Sequence, residues 1–135
     1  MIVLDASAAL AWSHKDETTP AIDDVLRRVV SQGALVPALW PTEIANALRV
    51  AVRENRISTE IRSELLANLW RLKPVVEEID LEVVSTRTMA LADRHDLTVY
   101  DATYLELALR HALLLATTDK KLASAARAEG VEVLP

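Results

Sequence analysis

The sequence predicts an α/β sandwich with a mostly parallel sheet, on three observations. Short apolar runs of the buried-strand kind, such as Ile2-Val3-Leu4, alternate with longer stretches of helical periodicity. The chain has only two glycines, Gly33 and Gly130, and both fall where a helix can hand over to a strand. Four acidic residues stand where strand-like runs give way to helix-like ones: Asp5 after Met1 to Leu4, Glu43 after Leu35 to Trp40, Asp101 after Val99-Tyr100, and Asp119 after Leu113 to Thr118. Parallel strands bring such residues to one edge of the sheet, where open α/β folds bind ligands.

Each element follows in order. Met1 to Leu4 reads as a buried parallel strand and Ser7 to Trp12 as an Ala/Leu-rich helix. Pro20 to Ser31 opens on a proline suited to a first helical turn and carries Ile22, Val25, Leu26, Val29 and Val30 at helical spacing. Ala34 to Trp40 is a second strand region containing Pro37, followed by a helix from about Pro41 to Glu54. Another helix, N-capped by Ser58, runs to about Leu72, so the pair forms a helical hairpin. Val75 to Ile79 is a third strand, Leu81 to Arg94 and Ala102 to His111 are helices, and Leu113 to Ala116 is a fourth strand. A last helix, Lys120 to Glu129, stops at Gly130 before the strand Val131 to Leu134.

At 135 residues and 51% apolar, the chain is sized for a single domain, 1–135, with one core. It has no cysteine, so disulfide frameworks and thiolate metal sites are excluded. Without a basic leader or an apolar stretch of about 20 residues, it reads as a soluble cytoplasmic protein. Net charge is −5, from 20 acidic and 15 basic side chains, which argues against nucleic-acid binding by bulk attraction. Local arginines can still grip phosphates.

Asp5, Glu43, Asp101 and Asp119 admit two readings. Aspartate is a good helix N-cap and a glutamate in the first turn suits the helix dipole, so each could serve its own helix alone. Gathered at one sheet edge, however, four carboxylates repel one another unless a cation joins them. Hard oxygen donors suit Mg²⁺ or Mn²⁺, and such a set can hold metal ions that activate water for phosphoryl chemistry. Ser58 and Pro20 start other helices here, so the fold does not demand carboxylates at every start.

The surrounding residues resemble a known family, the PIN-domain ribonucleases, and within it the small VapC-like toxins of bacterial and archaeal toxin–antitoxin pairs. Val3-Leu4-Asp5-Ala6-Ser7-Ala8-Ala9-Leu10 resembles the first acidic motif, and Glu43-Ile44-Ala45-Asn46-Ala47-Leu48 the second. Tyr100-Asp101-Ala102-Thr103-Tyr104-Leu105-Glu106-Leu107-Ala108 resembles the third, and Leu115-Ala116-Thr117-Thr118-Asp119-Lys120-Lys121-Leu122 the fourth. The resemblance spans residues 1 to 135.

It implies a three-layer α/β/α sandwich with about five strands and a ribonuclease hydrolysing RNA phosphodiesters with Mg²⁺ or Mn²⁺. Asp5, Glu43 and Asp101 are then metal ligands, with Asp119 completing the pocket. The resemblance also implies a VapB-like antitoxin partner and a homodimer. Ser7, Asn46 and Thr118 are either residues that orient carboxylates and water or local capping groups. The alternative function is a non-catalytic PIN-like binding module whose acids only cap helices.

Arg49, Arg53 and Arg56 recur at spacings of four and three, a column that is either a phosphate track or a solvated, salt-bridged helix face involving Glu54. His14, His95 and His111 fall near helix C-termini and share no face, so a histidine acid–base ribonuclease is disfavoured. Trp12, Trp40 and Trp70 sit in apolar contexts and read as core or interface residues. An aspartyl-phosphate phosphatase normally needs a second acid two residues after the first, and Ser7 stands there.

Overall fold

The structure, a computed structural model, describes residues 1–12 and 18–135. Five strands, β1 (Ile2–Leu4), β2 (Ala34–Pro37), β3 (Val75–Glu77), β4 (Leu115–Ala116) and β5 (Val133–Leu134), form one sheet in the order β3-β2-β1-β4-β5. Every pairing is parallel, with Val3 opposite Leu35 on one side and Leu115 on the other. The sheet is thus wholly rather than mostly parallel, and its helices complete a three-layer α/β/α sandwich.

The helices are α1 (Ala6–Ala11), α2 (Pro20–Gln32), α3 (Trp40–Arg53), α4 (Thr59–Arg71), α5 (Leu81–Val83), α6 (Met89–His95), α7 (Val99–His111) and α8 (Lys120–Ala128). A π-helical turn, Val84–Thr88, joins α5 to α6, so the expected single helix from Leu81 to Arg94 forms with one widened turn. Thr19 and Ser58 cap α2 and α4 by accepting the N–H groups of Ile22 and Ile61. Gly33 and Gly130 take φ of 84° and 81°, positive values that glycine adopts at little cost, where α2 and α8 give way to the strands that follow.

The core is continuous. Ile2, Val3 and Leu4 are fully buried because β1 is the central strand, covered on both faces. α7 lies against β1, β2 and β4 and buries seven successive residues, Ala102 to Ala108, so it is apolar nearly all round rather than striped. Among the described residues no helix is long and apolar enough to cross a membrane.

Several sequence boundaries move for identifiable reasons. The second strand stops at Pro37, and Trp40 begins α3 instead of ending the strand; the indole is 2% exposed. No strand precedes Asp101, because Thr98 caps α7 through the Asp101 N–H and draws Val99 and Tyr100 into the first helical turn. α3 ends at Arg53, and Asn55, at φ 59°, turns the chain away, so Arg56 leaves the column of Arg49 and Arg53. Trp12 packs on the core with its N–H donated to the Ile22 carbonyl at 3.0 Å, whereas Trp70 is 63% exposed and not a core residue. His95 ends α6 and His111 ends α7; His14 lies outside the described residues.

Candidate active site

The strand order puts a topological switch between β1 and β4, whose following segments depart to opposite sides and open a crevice at the strands' carboxyl ends. Asp5 follows β1 directly and Asp119 lies three residues beyond β4, so these two flank the switch. Glu43 reaches the same region from the first turn of α3, after β2. Asp101 arrives from the first turn of α7, not from a strand end.

Asp5 is 4% exposed and is the best-anchored of the four. Its backbone N–H is held by the Ala116 carbonyl at 3.0 Å, which locks it to the neighbouring strand. Two hydroxyls, from Ser7 and from Thr117 at 2.7 Å, donate to the same oxygen, Oδ2, leaving Oδ1 free of hydroxyl donors among the described residues. The Ser7 Oγ in turn accepts the Thr118 N–H at 3.0 Å, and the Thr117 Oγ1 accepts the Asp119 N–H at 3.1 Å. The turn after β4 is thereby stitched to the end of β1. Burial raises the pKa of Asp5, and the donated hydrogen bonds only partly offset it.

Glu43, half-buried, accepts a hydrogen bond at 2.7 Å from the hydroxyl of Tyr104, a residue with no solvent exposure. Its pKa is raised by burial and by the charges of Asp5 and Asp101, against the lowering effect of Tyr104. Asp101 is raised by burial and then by Asp119 and Asp5, while Thr98 and Lys121 lower it. The charges of Asp5 and Asp101 thus reach Glu43, and those of Asp119 and Asp5 reach Asp101, across the crevice.

Helix capping accounts for little of this. Asp5 precedes α1 but its side chain makes no cap bond, Thr98 rather than Asp101 caps α7, and Glu43 is bound by a tyrosine from another helix. Only Asp119 caps, accepting the Leu122 N–H on Oδ1 at 2.9 Å. Among the described residues no three acidic or histidine side chains already converge in a metal-holding geometry. The donor chemistry, though not a finished cage, fits a hard divalent cation: carboxylates only, partly dehydrated and mutually repelling.

The remaining expected residues divide. Ser7 orients Asp5, whereas Thr118 contributes its backbone N–H and the hydroxyl in contact with Asp5 belongs to Thr117. Asn46 is exposed on α3 and, among the described residues, hydrogen-bonds to none of the carboxylates. Arg49 and Arg53 are exposed and unpaired among the described residues, while Glu54 is bound by Arg56 at 3.1 Å. His95 lies 2.7 Å from Glu129 and His111 2.7 Å from Glu77, so both are engaged in ion-pair clusters. Tyr104 and Thr117 are not among the residues the sequence points to, yet period alone places them: Tyr104 one helical turn after Asp101, and Thr117 two residues before Asp119 on an extended segment.

The PIN domain family model matches residues 2–128. Ribonuclease VapC3 of Pyrobaculum aerophilum is 30% identical over 122 residues, 90% of this chain and 92% of its own length. Ribonuclease VapC12 of Mycobacterium tuberculosis is 35% identical over 123 residues, 91% and 90% of the two chains. In fold, the crystal structure of PAE2754 from Pyrobaculum aerophilum matches with TM-score 0.72 at 24% identity, covering 98% of this chain and 82% of the other. FitAcB from Neisseria gonorrhoeae matches with TM-score 0.68 at 15% identity, covering 100% and 97%. A family model spanning nearly the whole sequence, relatives aligned over nine-tenths of it and a shared sheet agree: the chain belongs to the PIN-domain family.

Proposed function

We propose that the chain is a metal-dependent ribonuclease that hydrolyses RNA phosphodiester bonds, acting as the toxin of a toxin–antitoxin pair restrained by a VapB-like antitoxin. The observation that carries the reading is the placement of Asp5, Glu43, Asp101 and Asp119 around the switch point, three of their carboxyl groups doing no capping. The names of the relatives supply the substrate class: two are called ribonucleases. One domain spanning 1–135 and assembly as a homodimer belong to the same proposal.

In this reading Asp5, Glu43 and Asp101 would hold Mg²⁺ or Mn²⁺, with Asp119 completing the acidic pocket. A divalent cation held there would supply charge to lower the pKa of an attacking water and to offset charge on the leaving oxygen. The protein's part is orientation. Ser7 and Thr117 fix the Asp5 carboxylate, Tyr104 fixes Glu43, and the Leu122 N–H fixes Asp119. Arg49 and Arg53 offer unpaired charge to the RNA backbone from α3.

Purified protein should cleave RNA with Mg²⁺ or Mn²⁺ and stop in excess EDTA. Asp5→Asn should abolish cleavage while the protein stays folded. Undiminished cleavage in EDTA would sink the metal-dependent mechanism.

A further inference from the structure

Beside the acidic crevice, a groove of about 360 Å³ opens between α8 and the start of α2. Thr19 and Ile22 form one wall, and Lys120, Ala123 and Arg127 form the other, at the three- and four-residue spacing that aligns them on one helical face. Its mouth is the turn Thr117 to Asp119, the same turn that is stitched to Asp5. Asp119 is therefore common to groove and crevice, and its carboxylate is held by the Leu122 N–H.

Lys120 and Arg127 are exposed and make no ion pair among the described residues, whereas Lys121 next door is held by Asp96 and Arg94 by Glu129. The two cations stand about 10 Å apart along the helix, at 1.5 Å rise per residue. Ala123 between them is small and 7% exposed, so the floor stays low. The polar lining consists of cations and hydroxyls, apart from Asp119 at the mouth, and among the described residues no aromatic ring lines it for a base to stack on. Such a surface suits a phosphodiester backbone, not bases.

We propose that this groove seats the RNA strand where it leaves the cleavage site, with Lys120 and Arg127 each neutralising a phosphate, successive or nearly so. The proposal rests on the ribonuclease reading and deepens it. A strand whose scissile phosphate lies among the carboxylates passes Asp119 and then runs along α8, away from Arg49 and Arg53 on α3. Cations on both sides of the crevice let an acidic protein hold a polyanion across its own negative centre.

The test is binding of a fluorescently labelled, dozen-nucleotide single-stranded RNA, by anisotropy in Mn²⁺ over a series of KCl concentrations, with every protein compared carrying Asp5→Asn so that the RNA is bound and not cut. In the double variant Lys120→Gln/Arg127→Gln, the slope of log affinity against log salt should shrink by about 1.4, roughly 0.7 for each single-strand phosphate that is no longer neutralised. The weakening should be uniform across RNA sequences, and the melting temperature should not change, because both side chains are exposed. Arg28→Gln, which removes the same charge from a residue paired with Asp24, should keep the wild-type slope. A double variant with wild-type affinity and slope overturns the groove assignment and leaves the ribonuclease reading standing. Unchanged RNA binding together with weakened binding of an acidic peptide gives the groove to a protein ligand and also overturns it. A wild-type protein that neither binds nor cleaves RNA in Mn²⁺ overturns the ribonuclease reading itself.

Discussion

Replacing Asp101 by Asn separates a metal site from a set of helix caps. The cap of α7 is Thr98, which accepts the backbone N–H of residue 101, and Asn retains that N–H. The substitution therefore spares the helix and removes only a carboxyl group whose pKa is raised, first by burial and then by Asp119 and Asp5. Between the ordinary carboxylate value and the raised one, the folded protein binds more protons than the unfolded chain. Stability accordingly falls as pH climbs through that window, and the deficit is complete at neutral pH. In EDTA at pH 7, Asp101→Asn should melt above the wild type, and the two should converge as the medium is made acid. Divalent metal at about 100 times its dissociation constant stabilises by about 2.7 kcal/mol. For 135 residues, an unfolding entropy of roughly 0.28 kcal/mol/K turns this into a rise of about 10 °C for the wild type. The variant, one ligand short, should rise far less, so adding Mn²⁺ narrows or inverts the ranking. Scanning calorimetry of both proteins, with Mn²⁺ and with EDTA, gives the answer. If Asp101→Asn is neutral in EDTA and Mn²⁺ moves neither melt, the carboxylates are not a metal site.

Other substitutions probe neighbouring links. Tyr104→Phe keeps the buried ring but deletes the hydrogen bond to Glu43, and should cost about 1.5 kcal/mol at neutral pH, a difference that fades as acid protonates Glu43; it should also raise the Mn²⁺ concentration needed for half-maximal cleavage. Arg49→Ala with Arg53→Ala should weaken RNA binding and flatten its salt dependence without altering metal affinity, as read by anisotropy and metal titration. Expressing the chain alone should arrest growth, and expressing Asp5→Asn should not, with equal toxicity of the two counting against a toxin that works by cleavage. Leu48→Ala, at a fully buried position of α3, should cost about 2–5 kcal/mol by denaturant unfolding and so marks what general destabilisation does to activity.

The alternation of apolar runs and helical periods is enough to read the strands and their order along the chain, because each strand is short, buried and closed by a helix start. The identity of the edge at which carboxylates meet is legible for the same reason. Asp101 shows where that reasoning runs out. Val99 and Tyr100 have strand-like side chains, but two residues cannot outweigh a threonine cap one position earlier and a helix buried on every side. Arg56 shows another limit, since a spacing of three continues a column only while the helix lasts, and nothing before Asn55 announces its positive φ. The sequence points to Thr118 where Thr117 makes the hydrogen bond, because which hydroxyl faces Asp5 depends on the register of β4 against β1. Tyr104 is legible by period, yet its partner Glu43 lies 61 residues away and only the tertiary fold brings them together.

The anchoring of the four carboxylates is unequal, and that has a kinetic meaning. The peptide N–H of Asp5 belongs to the β1–β4 ladder at the centre of the sheet, so its exchange with solvent should require the whole protein to open. Glu43 and Asp101 ride on the first turns of helices, where fraying is local and frequent. Hydrogen exchange should therefore find one immobile post and two that breathe around it. On the proposed metal-dependent reading, such a centre would accommodate cations of different radius, or a phosphate passing from substrate to product, by adjusting two helix ends while the sheet stays still.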